Sequence, residues 1–233
     1  MEYYGILSRL LTIFLLSFML LGLTSILIGY LLGSIPTAYL VTRWYKGVDI
    51  RDIDVGNVGA GAVFRTCGKR AGAIVAAVDI GKGAATILIA QALQLTEFWV
   101  LGAGFAAIIG HSYPVFIKFK GGQGAATIIG EFMVLATVAM SITLIPLAII
   151  LFSKPKVFTK RFFFAIFVAS PLLPVLIWVF GGSIWLIIYS VVAILSVVLR
   201  NLNRKKEMIG GLTGSTRVRD SLFFSRKGRH SNG

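Results

Sequence analysis

The chain has 233 residues, of which 57% are hydrophobic and 14% charged, and its mean hydropathy is +0.87. So few charges cannot cover the surface of a soluble domain of this size, and disorder, a collagen-like repeat and a disulfide-stapled fold are excluded as well; the single cysteine, Cys67, has no internal partner. Lys and Arg number 23 against 9 acids, a formal charge of +14, and in an integral membrane protein such charges report first on topology.

A bilayer core about 30 Å thick needs about 20 apolar residues in helix. The first uncharged run, Leu10–Val41, is longer than that and predicts one long first helix with an N-terminal extension. A glycine-rich basic loop over 42–70 follows. Ala71–Leu95 is the next apolar stretch, interrupted by Asp79 and Lys82. Phe98–Ile117 carries His111, and Ala125–Phe152 is uncharged except for Glu131. Phe162–Phe180 and Ser183–Leu199 come last, with Gly181-Gly182 as the turn between them.

The basic residues orient these spans. Arg43, Lys46, Arg51, Arg65, Lys69 and Arg70 fall in the first loop, and Lys118 and Lys120 in the loop at 118–124. Four more basic residues lie in the loop at 153–161 and nine in the tail from Arg200. All four segments read as cytoplasmic. A single crossing over Ala125–Phe152 would put the loops before and after it on opposite sides. A half-penetrating helix that turns near Ala139–Ser141 and comes back keeps them together, and such elements are tolerated where protein or a cavity buries them. The expected architecture is therefore an all-α membrane protein of about seven transmembrane or half-membrane helices. Its N-terminus is outside and its C-terminus cytoplasmic. Residues 1–199 form one membrane domain and 200–233 a basic tail. A plain six-span bundle is the alternative.

The same cytoplasmic loops hold the polar chemistry. Asp54-Val55-Gly56-Asn57-Val58-Gly59-Ala60-Gly61 precedes Arg65. Its glycines let backbone amides approach an anion, and Arg65 adds a planar cation. A flexible interhelical loop fits the same residues. His111 and the run Lys118-Phe119-Lys120-Gly121-Gly122-Gln123-Gly124 have similar character. Asp79 and Lys82 share one helical face, either as a functional pair or as a pair that satisfies itself. The basic tail reads as a partner of anionic headgroups, and nucleic acid is not implied. No P-loop, zinc spacing, Ser-His-Asp arrangement or dinucleotide fingerprint is present.

Taken in order, Gly33-Ser34-Ile35-Pro36, Gly56-Asn57-Val58-Gly59-Ala60 with Arg65-Thr66, Asp79-Ile80-Gly81-Lys82-Gly83, Gly110-His111 and Pro114-Val115-Phe116 leading to Phe119-Lys120-Gly121-Gly122 resemble the bacterial acyl-phosphate-dependent glycerol-3-phosphate acyltransferases, the PlsY family. The resemblance implies a seven-helix fold. It implies transfer of a fatty acyl group from acyl phosphate to glycerol 3-phosphate, or a related phosphate-bearing acceptor, to make lysophosphatidic acid for phospholipid synthesis. The enzyme would sit in the cell membrane with a cytoplasmic active face and no metal or other cofactor. It assigns catalytic roles to Arg65, Lys120 and Asn203, and substrate binding to Gly56, Asn57, Gly59, Lys82, His111, Gly121 and Gly122. The chain departs from the family pattern at Asp54 and Val55, which replace Gly-Ser, and at Gly61 and Ala62, which replace Thr-Asn. Gln123 stands in place of a lysine, Arg200 of a histidine, Lys206 of an arginine and Leu212 of a glutamate. A catalytically degenerate relative that binds lipid phosphates, and a small transporter suggested by Asp79, Lys82 and Glu131, are the other readings. The sequence leaves the oligomeric state open.

Overall fold

The computed structural model describes residues 2–53, 58–152 and 169–202, and among these every regular element is helical. The helices are α1 (Glu2–Ser34), α2 (Thr37–Lys46), α3 (Ile50–Ile53), α4 (Ala60–Cys67), α5 (Lys69–Ala92), α6 (Glu97–Ser112), α7 (Ala125–Leu135), α8 (Thr137–Phe152), α9 (Leu172–Val179) and α10 (Ile184–Leu202). Four stretches are long and apolar enough to cross a membrane: Ile6–Lys46, Lys69–Ala92, Glu97–Ile117 and Ile184–Leu202. The loop at 153–161, the first part of Phe162–Phe180 and the tail beyond Leu202 lie outside the described residues.

The first apolar run is not one uninterrupted helix, as its composition suggested. It breaks at Ile35-Pro36, where α1 ends and the short amphipathic α2 begins. Proline has no N–H to give and disfavours helical geometry in the residue before it. The 33 residues of α1 extend about 50 Å, more than a bilayer core, and its N-terminal half stands exposed at Leu7, Phe14 and Leu20.

Close approaches give the helix directions. A Cβ on Gly22 would strike Trp99, one on Gly29 the Ala103 carbonyl and one on Gly33 the Ala107 carbonyl, so α1 and α6 advance together. Lys82 of α5 reaches Gly33, and Thr86 lies by Gly29, so α5 runs the other way. The two ends of α10 meet the two ends of α6. Ser183, just before α10, donates to Glu97, whereas the Arg200 guanidinium lies 4.8 Å over the Tyr113 ring. The chain therefore gathers the C-terminal ends of α1, α6 and α10 and the N-terminal ends of α5 and α7 at one end of the bundle.

Ala125–Phe152 does divide, but at Ala136 rather than near Ala139–Ser141; Ala139 and Met140 are buried inside α8. Ala136 leaves helical geometry at φ −148°, and the Thr137 hydroxyl takes up the Met133 carbonyl at 2.8 Å. Met140, Thr143 and Leu144 line one small apolar pocket together with Ala125, Ile128 and Ile129. A collinear helix would hold Ala125 and Leu144 about 28 Å apart, so α8 turns back along α7. That geometry argues against the six-span alternative for this stretch. Gly181, at φ +74°, makes the turn expected between α9 and α10. The core joins α6 to α10 through Ile108, Phe132, Leu173, Ile177 and Tyr189. α10 continues past Leu199 to Leu202 and carries Arg200 with it.

Candidate functional site

Helix spacing puts Asp79 and Lys82 on one buried face of α5, at 2% and 6% exposure. Lys82 Nζ lies 3.0 Å from Asp79 Oδ1 and donates to the carbonyls of Gly33 at 2.9 Å and Ile35 at 3.2 Å. The Pro36 break explains this. A continued α1 would have brought the Thr37 N–H to the Gly33 carbonyl, but that N–H bonds Ile35 instead. The Lys82 ammonium serves the orphaned carbonyl and caps α1. His111, in the last turn of α6, places Nδ1 3.8 Å from Asp79 Oδ1, beyond hydrogen-bond reach, and that nitrogen has no hydrogen-bond partner among the described residues.

After α6 the chain folds back on itself. A short 3₁₀ turn over Val115–Ile117 leads into Lys118 and Phe119, both at positive φ, 57° and 60°. Gly121 and Gly122 then donate their N–H groups to the carbonyls of Ser112 and His111 at 3.2 and 3.0 Å. A Cβ on Gly122 would sit 2.2 Å from His111 Nε2 and 2.7 Å from the Val58 carbonyl, so glycine is required for this approach. The amides of these two glycines hold the loop against α6.

A cavity of about 340 Å³ opens beside this cluster. Its walls are mostly small residues, Gly59, Ala60 and Gly61 at the start of α4, Gly72, Ala73 and Ala76 on α5, and Ala125 and Ala126 on α7, with Phe64, Ile80 and Ile129 the larger apolar contributors. Its polar groups are Arg65, Lys69, Asp79, His111 and Gln123. Arg65 also lines a wide, open depression with Lys46, Val48, Ile53 and Thr66. It therefore stands at the boundary between an apolar chamber and an open surface. Gln123 is tied to α10 through Asn201 Oδ1 at 3.5 Å.

Of the residues expected at the site, Arg65, Gly59 and His111 line the cavity. Lys82, Gly121 and Gly122 lie behind it, around a smaller polar pocket shared with Asp79 and His111. Lys120 is exposed and is not among the lining residues of either. Gly56, Asn57 and Asn203 fall outside the described residues. Sequence reasoning left three residues without a structural role. Arg51 forks onto Asp49, with Nε 2.9 Å from Oδ1, and reaches the Ile117 carbonyl at 3.0 Å. The guanidinium beside it holds the Asp49 carboxyl below the usual carboxylate range. Tyr189 donates to Glu131 Oε2 at 2.6 Å, deep between α7 and α10. Asn201 accepts from Gln123. Only the Asp49-x-Arg51 spacing offered a local signal.

A family model described as glycerol-3-phosphate acyltransferase matches residues 23–211, which takes in the whole arrangement above except the start of α1. The chain belongs to this family. It is 37% identical over 193 residues to the glycerol-3-phosphate acyltransferase of Parasynechococcus marenigrum (strain WH8102), covering 82% of this chain and 88% of that one. It is 40% identical over 185 residues to glycerol-3-phosphate acyltransferase 1 of Dehalococcoides mccartyi (strain ATCC BAA-2266 / KCTC 15142 / 195), covering 78% and 88%. Among solved structures it is similar to PlsY (YgiH), an integral membrane glycerol 3-phosphate acyltransferase, in its glycerol 3-phosphate form. The TM-score is 0.70 at 28% identity, over 82% of this chain and 92% of that one. The lysophosphatidic acid form of PlsY aligns with a TM-score of 0.67. Family membership and the apolar spans together make this an integral membrane protein of the acyltransferase family.

Proposed function

We propose that this protein transfers a fatty acyl group from acyl phosphate to glycerol 3-phosphate, making lysophosphatidic acid. The observation that carries the reading is the position of Arg65, shared by the small-walled cavity and the open depression. A lipid-tailed donor and a water-soluble acceptor need one phosphate-binding cation between their two environments. The acceptor hydroxyl attacks the acyl carbonyl carbon, the carbon–oxygen bond to phosphate breaks, and the hydroxyl proton leaves on the released inorganic phosphate. The donor is already activated. The work left to the protein is alignment and stabilisation of charge on the transferring group. Arg65 supplies a forked cation, and the first-turn amides of α4 at Gly59–Gly61 supply further donors.

The end of the bundle that holds this site also holds Arg43, Lys46, Arg51, Lys69, Arg70, Lys118, Lys120 and Arg200. The connections at the far end, Leu93–Thr96 and Phe180–Ser183, carry no Lys or Arg. That asymmetry supports a cytoplasmic active face.

Acyl phosphate and glycerol 3-phosphate supplied to the purified protein in bicelles test the reading. Lysophosphatidic acid and inorganic phosphate should appear together, and Arg65→Ala should lower the rate about 10- to 150-fold, the loss of a charge-assisted contact worth about 1.5–3 kcal/mol. No turnover by the wild-type chain rejects it. Gln123 favours a second reading, a phosphate-lipid binder with reduced catalysis. It lines the cavity where the family pattern has a lysine, and it contributes an uncharged amide. Gln123→Lys should raise turnover under that reading.

A further inference from the structure

We propose that Arg51 is a positioning residue that fixes the loop after α6 in register with the loop before α4, and so sets the acceptor side of the site. This rests on the acyltransferase reading above. One guanidinium makes three kinds of contact. Nε and Nη2 fork onto the Asp49 carboxylate, Nη1 donates to the Ile117 carbonyl at 3.0 Å, and the ion lies 5.3 Å over the Tyr39 ring of α2. These contacts join α2, the segment before α3 and the loop that follows α6.

The point of attachment matters. Ile117 immediately precedes Lys118 and Phe119, both in the left-handed region, which non-glycine residues occupy only when neighbours hold them there. Five residues on, Gly122 packs against the Val58 carbonyl. The hook from Ile117 to Gly122 is thus fastened to the first loop at both ends, through a side chain at one and backbone contact at the other. Between the fastenings stands Lys120, and directly after them Gln123 enters the cavity wall. A lysine at 51 supplies charge but cannot fork onto a carboxylate, reach a carbonyl and cover a ring together.

The test compares wild type, Arg51→Lys and Arg51→Gln in bicelles. Both variants should raise KM for glycerol 3-phosphate at least tenfold while kcat stays within threefold and the unfolding temperature falls no further than it does in Asp49→Asn. An unchanged KM overturns the proposal, as does a fall in kcat and unfolding temperature without a KM change. Full rescue by Arg51→Lys overturns it as well. Limited trypsinolysis needs no turnover. Cleavage after Lys118 and Lys120 should be at least fivefold faster in Arg51→Gln, and an unchanged rate refutes the latch even where the acyltransferase reading has failed.

Discussion

Lys82 offers the sharpest separation between a cation that holds the fold and one that holds substrate. Lys82→Met removes the ammonium from a side chain only 5% exposed, beside an Asp79 side chain 3% exposed. Asp79 is left as a buried carboxylate without its counter-ion, and the Gly33 and Ile35 carbonyls lose their donor. Removing one partner of a buried pair costs about 3–5 kcal/mol. For a chain of this size that corresponds to a fall of about 6–20 °C in unfolding temperature. The Cys67 thiol, half-buried at the end of α4, is a convenient probe of unfolding in detergent. Pairing the change with Asp79→Asn should return much of the loss by removing the stranded charge. The remaining deficit, about 1 kcal/mol per lost carbonyl bond, is the share due to capping α1. A Lys82→Met protein that unfolds within about 2 °C of wild type yet has lost acyl transfer would refute the capping argument.

Gly122→Ala should lower the unfolding temperature by the equivalent of about 1–3 kcal/mol, because the methyl overlaps His111 and the Val58 carbonyl. Gly81→Ala, with nothing within 4 Å of the added carbon, should be neutral or stabilising in the same melt. Ala76→Leu narrows the cavity and should raise KM for long-chain acyl phosphates more than for short ones, measured across a chain-length series. Asp49 should give a pH signature. Its carboxyl is held below the usual range by Arg51, so its contribution is complete above the unfolded pKa of about 3.9 and is lost as pH falls through the lower folded value. Wild type should lose more thermal stability than Asp49→Asn on acidification below about pH 4, and parallel curves would count against the pair.

What the sequence disclosed and what it hid follow from the range of the forces involved. The doubling-back of residues 125–152 was legible because charge placement is a count over whole loops and needs no detail of packing. The site of the break was not. Pro146, the residue with the strongest local reason to interrupt a helix, lies inside α8, while the break falls at Ala136, which has none. There packing decides, since Phe132 and Met140 on either side both enter the core with α10. The interruption at Pro36 was within reach of the sequence, because proline acts on its own neighbours. Lys82 was identifiable as an intramembrane charge, but its acceptors lie 49 and 47 residues away, so nothing local distinguished a cap from a substrate contact. Glu131 had no visible partner because Tyr189 is 58 residues distant, and Arg51 reaches across 66.

The two populations of cations at the site end therefore do different work. Lys82 and Arg51 spend their donors on carbonyl oxygens and carboxylates of the protein, where they fix α1 and the loop after α6. Arg65 faces the cavity and the open depression, and Lys120 is exposed. Such a division follows from the chemistry of phosphate in a membrane protein. A buried cation already surrounded by acceptors has little left to offer an anion, whereas one that lines both the cavity and the open depression can be reached by phosphate from either side. On the proposed reading, Gln123 weakens the recognition of phosphate by offering an uncharged amide at the cavity wall. The cost of restoring a charge at 123 is then local, since its amide already projects to the cavity wall from a loop that Gly122 and Arg51 hold in place.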